Sequence, residues 1–163
     1  MNKALFIDRD GVINTDKVHV YRMEDFEFTS GIFDLCKLYS RAGYLIIIIT
    51  NQAGIAKGLY TENDFNYLME WVVGRFYSNG IIIDGVYHCP HHPDYTGECN
   101  CRKPGPGMLL QAASDYSLCM KNCMLIGDSE SDIEAGRRAG IPEQNMLLML
   151  GTPADYINRL PGL

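Results

Sequence analysis

Positive charge is scarce in this 163-residue sequence. Fourteen lysines and arginines stand against 20 aspartates and glutamates, a formal net charge of −6. That balance argues against general binding to nucleic acid or anionic membrane, leaving room only for a local basic site. Long apolar runs are also missing. The longest, Tyr44 to Ile49, is far short of the roughly 20 residues that span a bilayer. Asp8, Arg9 and Asp10 interrupt the first apolar run, so it does not read as a secretion signal. A soluble, cytoplasmic protein is expected, with no nucleic acid or membrane partner and a monomer as the default. There are no repeats, low-complexity tracts or linkers, and the hydrophobic content of 47% suits a sizeable core. A single domain over residues 1–163 is expected.

Six cysteines are present, but none are spaced as Cys-x-x-Cys. Cys89, Cys99 and Cys101 crowd into thirteen residues with His91 and His92, which in an intracellular chain favours a metal over a disulfide. Cys36, Cys119 and Cys123 sit among apolar neighbours and read as ordinary buried thiols.

The secondary-structure pattern is strand–helix alternation. Ala4-Leu5-Phe6-Ile7 reads as a strand covered on both faces, followed at once by Asp8-Arg9-Asp10-Gly11. After an irregular stretch, Gly31–Ala42 has the helical stripe Ile32, Leu35, Cys36 and Tyr39. A β-branched strand over Tyr44–Ile49 ends in Thr50-Asn51-Gln52. A helix opens at Thr61 and Asp64, with capping-box spacing, and runs to about Tyr77. Ile81–His88 holds a third strand, Cys89–Pro104 reads as loop, and Pro106 can open a helix to about Tyr116. Met124–Ile126 is a strand ending in Gly127-Asp128, a helix runs from Ser129 to Gly140, and Asn145–Met149 is the fifth strand. The expected fold is α/β: a doubly wound, Rossmann-like parallel sheet with right-handed crossovers.

In such a sheet the strand ends gather at one edge, where ligands bind. Here they carry Asp8 and Asp10, Thr50 and Asn51, and Asp128, with Arg102 and Lys103 before the Pro106 helix. Buried acids require a compensating cation. Carboxylates beside a hydroxyl, a lysine and an arginine suggest Mg²⁺ next to a phosphate-like anion. Plainer readings exist: Asp-Gly and Thr-Asn can be turns, Arg102 an exposed surface residue, and Asp132 a helix cap for Ser129.

Asp8-x-Asp10-Gly11 after an apolar strand, Thr50-Asn51, Lys103, and Gly127-Asp128-x-x-x-Asp132 together resemble the four motifs of the haloacid dehalogenase superfamily of phosphatases. The resemblance runs from about Ala4 to Leu150. Three further stretches resemble its heptose bisphosphate phosphatase branch: Phe6–Gly11, Thr50-Asn-Gln-Ala-Gly-Ile-Ala-Lys-Gly58, and Cys89-Pro-His-His92 through Cys99-Asn-Cys-Arg-Lys-Pro104. Histidinol-phosphate phosphatases, a related branch, share the first and last of these and stand second.

The resemblance implies a Mg²⁺-dependent phosphatase acting on the 7-phosphate of a heptose bisphosphate, in nucleotide-heptose biosynthesis for lipopolysaccharide core or a related glycan. Asp8 is implied as nucleophile, Asp10 as acid/base, and Asp8, the Asp10 carbonyl and Asp128 as Mg²⁺ ligands. Thr50, Asn51 and Lys103 would hold the transferring phosphoryl group, and Arg102 a second phosphate. Gln52, Ala53 and the loop around Asp16, Lys17 and His19 would contact the sugar. Cys89, His91, Cys99 and Cys101 would close a structural Zn²⁺ site, His91 being chosen over His92 on the resemblance, and would place Arg102 and Lys103. Gap lengths leave no room for a separate cap domain. Two other classes fit less well: a phosphoaspartate signalling domain lacks a counterpart of Asp10, and a zinc-bearing nucleic-acid module conflicts with the charge.

Overall fold

The computed structural model describes residues 1–163. Ala4–Ile7 forms β1 and is buried throughout. A long irregular stretch follows, with one 3-10 turn at Met23–Asp25. α1 (Ile32–Arg41) buries the stripe Ile32, Leu35, Cys36 and Tyr39, and Gly43 beyond it takes φ +87. β2 spans Leu45–Asn51, two residues past the apolar run, because Thr50 and Asn51 continue the register opposite His88 and Cys89. A single turn, α2 (Ala53–Ala56), leads to α3 (Glu62–Ser78), which opens with the expected Thr61–Asp64 capping box.

β3 is shorter than the sequence suggests, running Gly85–Cys89. Asp84 is the reason: its N–H donates to the Ile46 carbonyl and its carboxylate accepts from the Ile46 N–H. A side chain thus replaces a rung of the ladder, and Ile81–Ile83 stay outside the strand. The loop after Cys89 contains a helical turn, α4 (Pro93–Thr96), capped by His92. α5 (Gly107–Tyr116) starts one residue later than expected, with Pro106 as its N-cap. β4 (Met124–Gly127), α6 (Glu130–Ala139), β5 (Met146–Leu148) and a terminal turn, α7 (Pro153–Tyr156), complete the chain. β5 loses Asn145 to a preceding 3-10 turn, and the Asn145 amide donates instead to the Lys121 and Cys123 carbonyls.

All five strands are parallel, in the order β3-β2-β1-β4-β5. Leu5, Ile7, Ile46 and Ile48 pack against α1 and α3 on one face. Ala4, Phe6, Ile47 and Ile49 pack against α5 and α6 on the other. Each such isoleucine or leucine contributes about 1.5–3 kcal/mol by leaving water, so the sheet is covered on both faces and its polar ends are forced to one edge. No cap is inserted over that edge. β1 lies between β2 and β4, which brings Asp8, Thr50 and Asp128 side by side. No helix is long and apolar enough to cross a membrane.

Candidate active site

Lys103 is the centre of the site. Its Nζ donates to Asp8 Oδ1 at 3.0 Å, Asp132 Oδ1 at 2.5 Å and the Ile49 carbonyl at 3.2 Å, and only 5% of the residue is exposed. Burial works against the ammonium charge, yet Asp8 and Asp132 outweigh it and hold the Lys103 pKa above its usual value. Asp8 is raised as well, which for a carboxyl favours the neutral form. Burial, with Asp132 and Asp128 nearby, raises its carboxyl well above the usual range against the pull of Lys103. Asp128, half-buried, is also raised by burial.

Asp8, Asp128 and Asp132 carboxylates lie within 4.8 Å of one another. Asp132 has no oxygen to spare: Oδ1 faces Lys103, and Oδ2 accepts from the Asp128 and Ser129 N–H groups and the Ser129 hydroxyl. It therefore both caps α6, as its spacing suggested, and holds Lys103, which no local pattern revealed. Asp8 and Asp128 remain, two acids pushed toward neutrality chiefly by burial, with Lys103 shared between Asp8 and Asp132. This donor set fits a hard divalent cation. Gly11 permits their approach. It takes φ +92, and a Cβ there would sit 1.9 Å from Asp128 Oδ2.

Asp10 is gripped on both oxygens. Oδ1 accepts from Arg9 Nη2 at 2.9 Å and Asn14 Nδ2 at 3.0 Å, and Oδ2 accepts from Gln52 Nε2 at 3.1 Å. Thr50 is covered and its Oγ1 accepts from the same Gln52 amide at 2.8 Å; it is absent from the cavity walls. Asn51 ties β2 to the lysine loop, its Oδ1 accepting from the Lys103 N–H and its Nδ2 donating to the Lys103 carbonyl.

Two cavities meet at this edge. The smaller, about 270 Å³, is lined by Asp8, Asp10, Asp128 and Lys103, with Ser129 and Ser131. The larger, about 360 Å³, shares Asp10, Asp16 and Asn51 with it and extends over His19, Gln52, Ala53 and Arg102. Lys57, Tyr60 and His92 also line the larger cavity and were not singled out by the sequence reading. Lys57 lies inside the Thr50–Gly58 stretch that carries the resemblance, and His92 is the neighbour of the metal-type ligand His91. Lys17 turns away to pair with Glu27 at 3.1 Å and lines neither cavity.

Behind Arg102 sits the cysteine cluster. Cys89 Sγ lies 3.6 Å from both Cys99 Sγ and His91 Nδ1, Cys101 Sγ 3.6 Å from Cys99 Sγ, and His91 Nδ1 3.3 Å from Cys101 Sγ. A tetrahedron with Zn–S of ~2.3 Å and Zn–N of ~2.0–2.1 Å has edges of roughly 3.5–3.8 Å. The four atoms fit such a cage, and the sulfurs are too far apart for disulfides. His92 is not part of it; its ring caps α4. Arg102 follows directly, its Nη1 donating to the His91 carbonyl at 3.4 Å. The remaining three cysteines are free thiols, Cys36 and Cys123 buried and Cys119 partly so.

Comparison with known proteins agrees with this geometry. A HAD-hydrolase-like family model matches residues 100–147, which include Lys103 and Asp128. A D-glycero-alpha-D-manno-heptose-1,7-bisphosphate 7-phosphatase of Campylobacter jejuni is 52% identical over 139 residues, 85% of this chain and 78% of its own. A D-glycero-beta-D-manno-heptose-1,7-bisphosphate 7-phosphatase of Helicobacter pylori is 45% identical over 160 residues, 96% of this chain and 91% of its own. The solved structure of a D,D-heptose 1,7-bisphosphate phosphatase from B. bronchiseptica, complexed with magnesium and phosphate, superposes with a TM-score of 0.82. It is 27% identical, covering 98% of this chain and 89% of that one. With catalytic-type acids, buried lysine and relatives in agreement, the chain belongs to the haloacid dehalogenase superfamily of phosphatases and is a phosphoric monoester hydrolase.

Proposed function

We propose that this chain removes the 7-phosphate of D-glycero-D-manno-heptose 1,7-bisphosphate, within nucleotide-heptose biosynthesis. The observation that carries this reading is the join between the two cavities. The acids and Lys103 line one, and the adjoining one carries Lys57, Arg102, His19 and His92. A bisphosphate places one phosphoryl group on the acids and offers its second to the basic wall. Histidinol phosphate carries no second phosphate for Lys57 and Arg102 to pair.

Asp8 attacks phosphorus in line, forming an aspartyl-phosphate, and Asp10 protonates the departing sugar alkoxide. Asp10 then takes a proton from the water that opens the acyl phosphate. Lys103 keeps a fixed positive charge beside Asp8 and the equatorial oxygens. Thr50, whose oxygen accepts from Gln52 and whose hydroxyl reaches the Asn51 carbonyl at 3.5 Å, would have to turn that proton from the carbonyl to a phosphoryl oxygen. Asp8, Asp128 and the Asp10 carbonyl would hold Mg²⁺, which offsets the repulsion between carboxylate and phosphate dianion. Cys89, His91, Cys99 and Cys101 would hold a structural Zn²⁺. We further assign residues 1–163 to one domain, monomeric and cytoplasmic, with a small-molecule substrate; the net charge of −6 supports the absence of a nucleic-acid partner.

The test is phosphate release from both anomers of the heptose bisphosphate and from histidinol phosphate. A heptose bisphosphate should be preferred by at least about a hundredfold in kcat/KM, the order that a second paired phosphate provides. Asp8→Asn should abolish turnover and leave the fold intact; retained phosphatase activity would remove Asp8 as nucleophile.

A further inference from the structure

Tyr60 occupies a built slot at the rim of the larger cavity. One face of its ring stacks on Tyr21, with centroids 5.1 Å apart and planes 10° from parallel. Gly54 lies against the ring edge, where a Cβ would stand 2.2 Å from Tyr60 Cε1 and 2.9 Å from His19 Nδ1. Any other residue at position 54 would displace the ring. The hydroxyl emerging from this slot donates to Gln52 Oε1 in a short hydrogen bond. Burial pushes the phenol up to about 12, so it stays a donor at neutral pH.

The direction of that bond has a consequence. With Oε1 committed to Tyr60, the Gln52 amide must present Nε2 on its other side, where it donates to Asp10 Oδ2 at 3.1 Å and Thr50 Oγ1 at 2.8 Å. A flipped amide would face an oxygen to the Asp10 carboxylate. Gln52 is 2% exposed, so water cannot substitute for a lost partner without rearrangement.

We propose that Tyr60 is a positioning residue for the hydrolysis: through Gln52 it sets the orientation of the Asp10 carboxylate and of the Thr50 hydroxyl. The proposal rests on the reading of Asp10 as acid/base. It assigns Tyr60 no contact with the sugar, although the ring borders the cavity. Its geometry also joins two segments far apart in sequence. Tyr21 of the substrate loop clamps the ring that aims the catalytic carboxylate, so loop order and acid/base alignment are linked.

The experiment is a double-mutant cycle on a heptose bisphosphate with kcat and KM separated. Tyr60→Phe keeps the ring in its slot and removes only the hydroxyl; kcat should fall about tenfold with KM within about twofold. In a Gln52→Ala background the same change should cost less than about twofold, since its route to Asp10 is already cut. An unchanged kcat, a rise in KM alone, or equal losses in both backgrounds would each overturn the proposal. Gln52→Glu gives a second reading should Tyr60→Phe melt early, because glutamate can accept from Tyr60 but cannot donate to Asp10. Its kcat should fall at least as far as that of Gln52→Ala, and a kcat within about twofold of the parent would also overturn the proposal. Asp10→Asn serves as the control for the underlying reading: full turnover in that variant would sink the acid/base assignment whatever Tyr60 does.

Discussion

At the scale of single residues, the site depends on small groups that permit close approach and on buried charges that serve more than one partner. Gly11 is of the first kind. Its φ of +92 and the 1.9 Å clash a Cβ would make with Asp128 Oδ2 mean that Gly11→Ala must move Asp128, one of the two proposed cation-binding acids. The Mg²⁺ concentration for half-maximal activity should rise at least about tenfold in that variant, as read from a metal titration. Asp132 is of the second kind, serving Lys103 with one oxygen and the α6 N-terminus with the other. Asp132→Asn should cost about 2–4 kcal/mol in denaturant unfolding, more than a cap alone gives, and should lower kcat by loosening Lys103. Asp8 and Asp10 were legible because two acids after an apolar strand need an explanation. The contacts of Asp132 with Lys103 and of Gln52 with Asp10 were not, since each joins residues separated by 29 and 42 positions with no shared local pattern.

At the scale of elements, the strands were legible where apolar runs were uninterrupted, and the long helices where the stripe of period 3.6 persisted. β3 shows the limit. Ile81–Ile83 has every compositional mark of a strand, but Asp84 satisfies Ile46 with its side chain and delays pairing until Gly85. The four-residue turns α2, α4 and α7 are too short to show a period at all. The loop between β3 and α5 is the element most in need of outside help, having few buried apolar side chains besides its metal-type ligands. Zinc-peptide binding energies of about 10–16 kcal/mol are of the size needed to order it. A Cys101→Ser variant should lose its zinc in elemental analysis, become open to trypsin at Arg102, and lose at least about tenfold in kcat/KM. Zinc retained at one per chain would count against this ligand set.

For the whole molecule, the imbalance of charge at one sheet edge couples ion binding to stability. Asp8 and Asp128 are both raised by burial, so a divalent cation that binds them favours the folded chain by mass action. At Mg²⁺ a hundredfold above its dissociation constant the gain is about 2.7 kcal/mol, or a rise in Tm of about 5–10 °C for a protein of this size. Differential scanning calorimetry with and without Mg²⁺ measures this, and Asp128→Ala should erase most of the rise. The strand order carries a further meaning in time. β1 leaves the ribosome before the other four strands of the sheet, yet it becomes its middle, with its second neighbour, β4, beginning at Met124. Asp8 is therefore synthesised first, Lys103 much later, and Asp128 and Asp132 last. A nascent chain thus carries Asp8, the proposed nucleophile, long before the residues that hold it, and should not hydrolyse phosphate until Asp132 has emerged.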